Sequence, residues 1–141
     1  MFEEILFTPL SKFDVVAGNV LHGLKRNDPG FHGFGEVYFS YINRQAVKAW
    51  KQHTKMTLNL IVPHGHVRFV FVDATDYTKY KIFEIGENNY GRLTVPPKIW
   101  FGFQGMAVDP SLVVNVADIE HDVNEVCNQE LDFIKFSWEL P

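Results

Sequence analysis

Apolar and polar residues alternate with a period of two along much of this chain. The clearest runs are Met56-Thr57-Leu58-Asn59-Leu60 and Val67-Arg68-Phe69, the second leading into a continuous apolar stretch at 69–72. Such alternation belongs to an extended strand with one dry face and one face turned to water or to a lined cavity. Short segments rich in Val, Ile, Phe, Tyr and Thr recur between turn-forming residues. They predict strands over 20–25, 36–42, 47–52, 55–62, 67–73, 79–85, 92–95, 99–103, 112–116 and 133–137. Pro29-Gly30, Pro63-His64-Gly65, Gly86-Glu87-Asn88-Asn89, Pro96-Pro97 and Asp109-Pro110 punctuate them, and a central hairpin is predicted around Gly65. Only 118–129, acidic at its start, has the pattern of a helical turn or two. So many short strands, without repeat or linker, predict an all-β fold in a single domain spanning 1–141, with a double-sheet jelly roll as the architecture.

Composition narrows the function classes. With 141 residues, 46% hydrophobic, 15% aromatic and thirteen Phe, the chain is long and apolar enough to build a core without disulfides or a structural metal. Its formal net charge is -4 and its Lys and Arg residues are scattered singly, so no basic stripe exists for a phosphate backbone and no nucleic-acid partner is expected. Cys127 stands alone, which excludes an internal disulfide and fits a reducing compartment. The amino terminus, Met1-Phe2-Glu3-Glu4-Ile5, is acidic where a secretory signal is basic. No apolar run approaches the roughly 18 residues of a membrane span. The expectation is a cytoplasmic protein without a membrane partner.

Several blocks resemble the dTDP-4-dehydrorhamnose 3,5-epimerase superfamily, in the same order and spacing. They are Gly35-Glu36-Val37-Tyr38-Phe39-Ser40, Val47-Lys48-Ala49-Trp50-Lys51-Gln52-His53, the run from Asn59 to Val70, Val95-Pro96-Pro97-Lys98-Ile99-Trp100-Phe101-Gly102-Phe103 and Leu112-Val113-Val114-Asn115-Val116-Ala117-Asp118. The resemblance covers about 18–138 and implies a cupin-like jelly roll (a double-stranded β-helix). It also implies a homodimer and a nucleotide-sugar ligand, with an activity in surface-polysaccharide or deoxysugar biosynthesis that needs no cofactor.

The reactive positions depart from the family pattern. The usual Arg-Gly-Leu-His falls on Lys48-Ala49-Trp50-Lys51, so the catalytic histidine position holds Lys51 and the nearest histidine is His53. A second family histidine falls on Phe101 and the catalytic tyrosine on Val114, whereas Asp118 keeps the family's Asp position. Lys48 can meet a phosphate only as a point charge, without the two-pronged fork of arginine.

Each candidate has a functional and a plainer reading. Lys51 is either a solvent-facing lysine or a base whose pKa burial has lowered. His53 is either a rim histidine or the base, and it shares a strand face with Lys51. Lys48 points the other way unless the strand bulges near Ala49. Trp50 and Trp100 are core residues or stacking platforms, and Asn59 is a further pocket candidate. Tyr38 and Tyr90 are buried phenols or substitute acids, and Asp118 either reacts or caps a helix. His64 and His66 flank a turn, and the cupin metal pattern of His-x-His followed by Glu is missing, so no metal is expected. The favoured activity is epimerisation or isomerisation of a nucleotide-linked 4-keto sugar. An inactive nucleotide-sugar-binding or scaffold domain is the alternative, and a metal-dependent oxygenase comes third.

Overall fold

The computed structural model describes residues 2–140; Met1 and Pro141 lie outside the described residues. Two five-stranded antiparallel sheets face one another. The first runs in the order β1 (Leu6–Pro9), β9 (Gly91–Val95), β6 (Leu58–His64), β11 (Ser111–Ala117), β4 (Glu36–Ile42). The second runs β12 (Val126–Asn128), β5 (Val47–His53), β10 (Trp100–Gly105), β7 (His66–Asp73), β8 (Asp76–Gly86). A short ribbon joins β2 (Lys12–Phe13) to β3 (Val20–Leu21). This is the predicted all-β jelly roll, and among the described residues no helix is long and apolar enough to cross a membrane.

Period-two alternation builds the core. Leu58, Leu60 and Val62 of β6, with Leu93 and Val95 of β9, meet Val67, Phe69 and Phe71 of β7 and Phe101 of β10 between the sheets. Phe69, Phe71, Phe101 and Phe103 pack with ring centroids 5.4 to 6.3 Å apart. Truncating a ring such as Phe69, which is fully buried, costs about 3–5 kcal/mol. The apolar run at 69–72 also buries its other face: Val70 and Val72 pack with Trp50, Trp100 and Ile134 on the outside of the second sheet, under the carboxy-terminal segment.

The structure corrects four sequence expectations. Gly65 does not turn a hairpin, because β6 and β7 belong to different sheets and the chain changes sheet there. Its φ of +89° and the approach of the Ser111 side chain leave no room for a Cβ, and Ser111 Oγ accepts the His66 amide at 3.0 Å. The segment 118–129 contains no helix. Asp122 accepts the amides of Asn124 and Glu125 in a turn, after which β12 occupies the open edge of β5. Residues 133–137 form no ladder. After a 3-10 turn at Leu131–Phe133 they cross the outer face, held by side chains such as the Tyr80 hydroxyl, which donates to the Lys135 carbonyl at 2.6 Å. The strand expected over 20–25 is only the two-residue β3.

Candidate functional site

Strand β5 holds four of the candidate residues, Lys48, Trp50, Lys51 and His53. Against β10 its register slips by one: Lys51 faces Phe101 and Ala49 faces Gly102, leaving Trp50 as an extra, bulged residue. Gly102 permits the close approach, since a Cβ there would lie 2.5 Å from that of Ala49. The bulge restores the face that simple alternation denies Lys48. Lys48, Lys51 and His53 therefore line one cavity of about 400 Å³ between the sheets. Leu58, Leu60, Phe101, Phe103 and Val113 supply its apolar lining, and Tyr38 and Asn115 face it from the first sheet.

His53 is buried, and its Nδ1 lies 2.5 Å from Oε2 of Glu125, itself 1% exposed. The other Glu125 oxygen accepts the Met56 and Lys55 amides at 2.9 and 3.1 Å. Burial alone would raise the Glu125 carboxyl, but the bonds from His53 and the two amides outweigh it and hold the pKa below its usual value. Burial, only partly opposed by Glu125, lowers the His53 pKa. Both directions describe the same state: a neutral imidazole whose Nδ1–H donates to an ionised carboxylate. Among the described residues His53 Nε2 has no hydrogen-bond partner, and the ring stacks on Phe101 at 6.3 Å.

Across the cavity, the Tyr38 hydroxyl accepts a hydrogen bond from Asn115 Nδ2 at 2.9 Å, and the two residues are direct cross-strand partners. Desolvation raises the phenol's pKa, so it stays protonated and able to donate. Lys48 Nζ donates to the Tyr41 carbonyl at 2.7 Å, bridging the sheets at the rim.

The remaining candidates lie elsewhere. Trp50 touches the cavity, but its indole packs outward against Trp138 at 5.4 Å and donates to the Leu131 carbonyl. Trp100 belongs to the same outer cluster, 5.0 Å from Phe133. Asn59 faces the outside of the first sheet, where its Oδ1 accepts from Arg92 Nε and Thr94 Oγ1 and its Nδ2 donates to the Gly30 carbonyl. Asp118 accepts the Thr57 amide at 2.8 Å and pins β11 to the start of β6. Tyr90 donates to the His22 carbonyl, away from the cavity. Glu125 escaped sequence reasoning because 72 residues separate it from His53 and no spacing motif joins them. Among the described residues no three His, Cys, Asp or Glu side chains gather as a metal centre requires.

Fold and site together define a cupin-like jelly roll with a cavity between its sheets that His53, Lys51 and Tyr38 line. Three comparisons sharpen that class. A dTDP sugar isomerase from Desulfovibrio desulfuricans G20 is 36% identical, with a TM-score of 0.90 over 96% of this chain and 91% of that one. The sugar 3,4-ketoisomerase QdtA from Thermoanaerobacterium thermosaccharolyticum, solved with TDP, is 18% identical and shares the fold with a TM-score of 0.76 over 95% of this chain and 93% of that one. The probable low-salt glycan biosynthesis epimerase Agl13 of Haloferax volcanii is 26% identical over 101 residues; the match spans 68% of this chain and 65% of that relative. No protein-family model matches the chain. The chain belongs to the family of the dTDP sugar isomerases.

Proposed function

We propose that this protein is an epimerase or isomerase of a nucleotide-linked 4-keto sugar, with His53 as the base. One observation carries the reading: His53, held by the buried carboxylate of Glu125 and with no hydrogen-bond partner for Nε2 among the described residues, lines a cavity of about 400 Å³. A ketone acidifies the neighbouring C–H. His53 Nε2 takes that proton, the C–H electron pair becomes the enolate, and Glu125 stabilises the imidazolium through Nδ1–H. Glu125 is a positioning residue, since it acts only through His53. Returning a proton to the same carbon from the opposite face gives epimerisation; where that carbon bears a hydroxyl, passing the hydroxyl proton to the enolate oxygen and returning the abstracted proton to the former carbonyl carbon moves the ketone. Tyr38, protonated on the opposite wall, is the donor in the first case. Lys48, exposed at the rim, suits the diphosphate. The family kinship and the nucleotide found with a solved relative support the nucleotide-sugar class.

The test is solvent deuterium incorporation into a dTDP-4-keto-6-deoxyhexose, followed by NMR. We expect exchange with the unmodified protein and a loss of about a hundredfold or more in His53→Asn, with dTDP affinity little changed. Tight dTDP binding without exchange into any keto sugar supplied would replace this reading with that of a binding domain.

A further inference from the structure

Inversion at a carbon needs a second group facing the base, and that group must have a proton free to give. Tyr38 of β4 lines the cavity on the wall opposite His53. What its hydroxyl can do is decided by Asn115, its cross-strand partner on β11, which is 3% exposed on an inner face otherwise formed by Val113 and Ala117. Asn115 Oδ1 accepts the Asn59 amide at 3.2 Å. A backbone N–H can only donate, so the orientation of the Asn115 amide is fixed and Nδ2 is the atom that meets Tyr38, at 2.9 Å. Nδ2 in its turn can only donate. The phenol oxygen therefore accepts, and its own proton points away from Asn115. The acceptor the structure offers that proton is Met56 Sδ, 3.9 Å away, and a thioether is a weak one.

We propose that Asn115 is a positioning residue for inversion: it holds the Tyr38 hydroxyl as a donor, with its proton free for the carbon that His53 has deprotonated from the other side. The inference rests on the acid–base reading above and commits it to epimerisation. In the first step the C–H proton goes to His53 Nε2 and its electron pair becomes the enolate. In the second that pair returns, the carbonyl reforms, and the carbon takes the Tyr38 proton in a new C–H bond. The tyrosinate left behind is held by the Asn115 Nδ2–H, and proton exchange of both groups with water resets the site. Burial, the largest influence on the Tyr38 pKa, raises it and so holds the proton back; the bond from Asn115 is the influence that lowers it. Met56 Sδ also lies 3.9 Å from Asn115 Nδ2 and is fully buried, so sulfur and amide fix the phenol without a strong acceptor that would keep its proton. The Met56 amide donates to Glu125 Oε1 at 2.9 Å, so the residue that rests against the acid also holds the carboxylate of the base. Asn115 thus stands to Tyr38 as Glu125 stands to His53, each acting through the group it orients.

The test follows a dTDP-4-keto-6-deoxyhexose in D2O and separates two events: exchange, by loss of the ring-proton signal, and inversion, by the identity of the sugar after borohydride reduction. The parent, Tyr38→Phe, Asn115→Leu and the double variant are compared, with melting temperature and dTDP affinity by calorimetry as controls. The parent is expected to exchange and invert the same carbon. Asn115→Leu and Tyr38→Phe are each expected to lower inversion about a hundredfold, while exchange, which needs only His53, falls less than about fivefold. In the Tyr38→Phe background Asn115→Leu should cost less than about threefold further, because Asn115 has nothing left to orient. Asn115→Asp serves where Asn115→Leu does not fold. It keeps an acceptor for the Asn59 amide, and at about pH 9 its carboxylate can only accept, so it draws the phenol proton to itself and should lose inversion alike. Inversion in the Asn115 variants within about threefold of the parent overturns the inference. So does an equal cost in both backgrounds, or a parallel fall of exchange and inversion, either of which marks a structural role. A parent that exchanges but retains configuration, or that moves the ketone, overturns it while leaving His53 as the base. Absence of exchange in the parent overturns the acid–base reading and this inference with it.

Discussion

Trp50 and Gln129 exchange both of their backbone hydrogen bonds, at 3.1 and 2.9 Å. With the β12 ladder, this pairing fastens the bulged strand to the segment that delivers Glu125, because Val126 faces His53 and Asn128 faces Lys51. The bulge that turns Lys48 into the cavity and the carboxylate that orients His53 are thus held by one sheet edge.

Removing that carboxylate should disable the base without emptying the cavity. Glu125→Gln keeps the volume but sets an amide against the donors of Met56, Lys55 and His53. Deuterium exchange should fall about a hundredfold at unchanged dTDP affinity. Because Glu125 raises the His53 pKa against burial, the acid limb of the pH profile should move to lower pH in this variant. A merely structural carboxylate would leave that limb in place.

The pH dependence of the parent has a defined sign. Burial depresses the folded His53 pKa below 6.5, with Glu125 opposing and Lys51 and His121 assisting. The unfolded chain therefore binds that proton more readily, so the stability contribution is complete above 6.5 and declines as pH falls toward the folded value. Glu125, held below 4.5, adds a further loss in the same direction at lower pH. Activity should fall with acid through a limb below 6.5, since only neutral imidazole accepts a proton. Urea midpoints at about pH 7.5 and 5.5 should differ in the parent and converge in His53→Asn.

Asn59 and Trp100, expected from sequence to touch the ligand, should instead behave as scaffold. Asn59→Ala strips Arg92, itself fully buried, and Thr94 of an acceptor, at a cost of about 1–3 kcal/mol. Trp100→Ala opens the outer cluster, at about 3–5 kcal/mol. Denaturant titration should register both losses. Calorimetry with dTDP at low temperature, where both variants remain folded, should show affinities close to the parent's.

The outer face of the first sheet points to self-association. Val37, Phe39 and Tyr41 of β4 are exposed and paired across the ladder with Val116, Val114 and Leu112, and β4 is the last strand of its sheet. Exposed apolar edge strands tend to be covered. Light scattering at micromolar concentration should find a homodimer, and Phe39→Glu should shift it toward monomer. A monomeric parent protein would rule the dimer out.

The sequence by itself determined what depends on neighbours along the chain. Alternation located most strands, with 36–42 matching β4 residue for residue, and brought Lys48, Lys51 and His53 within six residues of one strand. It also raised the bulge near Ala49, because only a bulge turns Lys48 and Lys51 to one face. Tertiary structure decided what depends on partners far away. Period two says which residues share a face but not which face encloses the cavity, so Trp100 and Asn59 read like pocket residues although both lie outside. Gly65 reads the same in a hairpin and at a crossing between sheets; the partners of β6 and β7 distinguish the two. Glu125 lies in a stretch patterned like a short helix until β5 offers an unpaired edge, and pairing with that edge brings the carboxylate to His53. Strand pairing is a contact between distant segments, settled by which edge is open and which side chains the opposite sheet can bury.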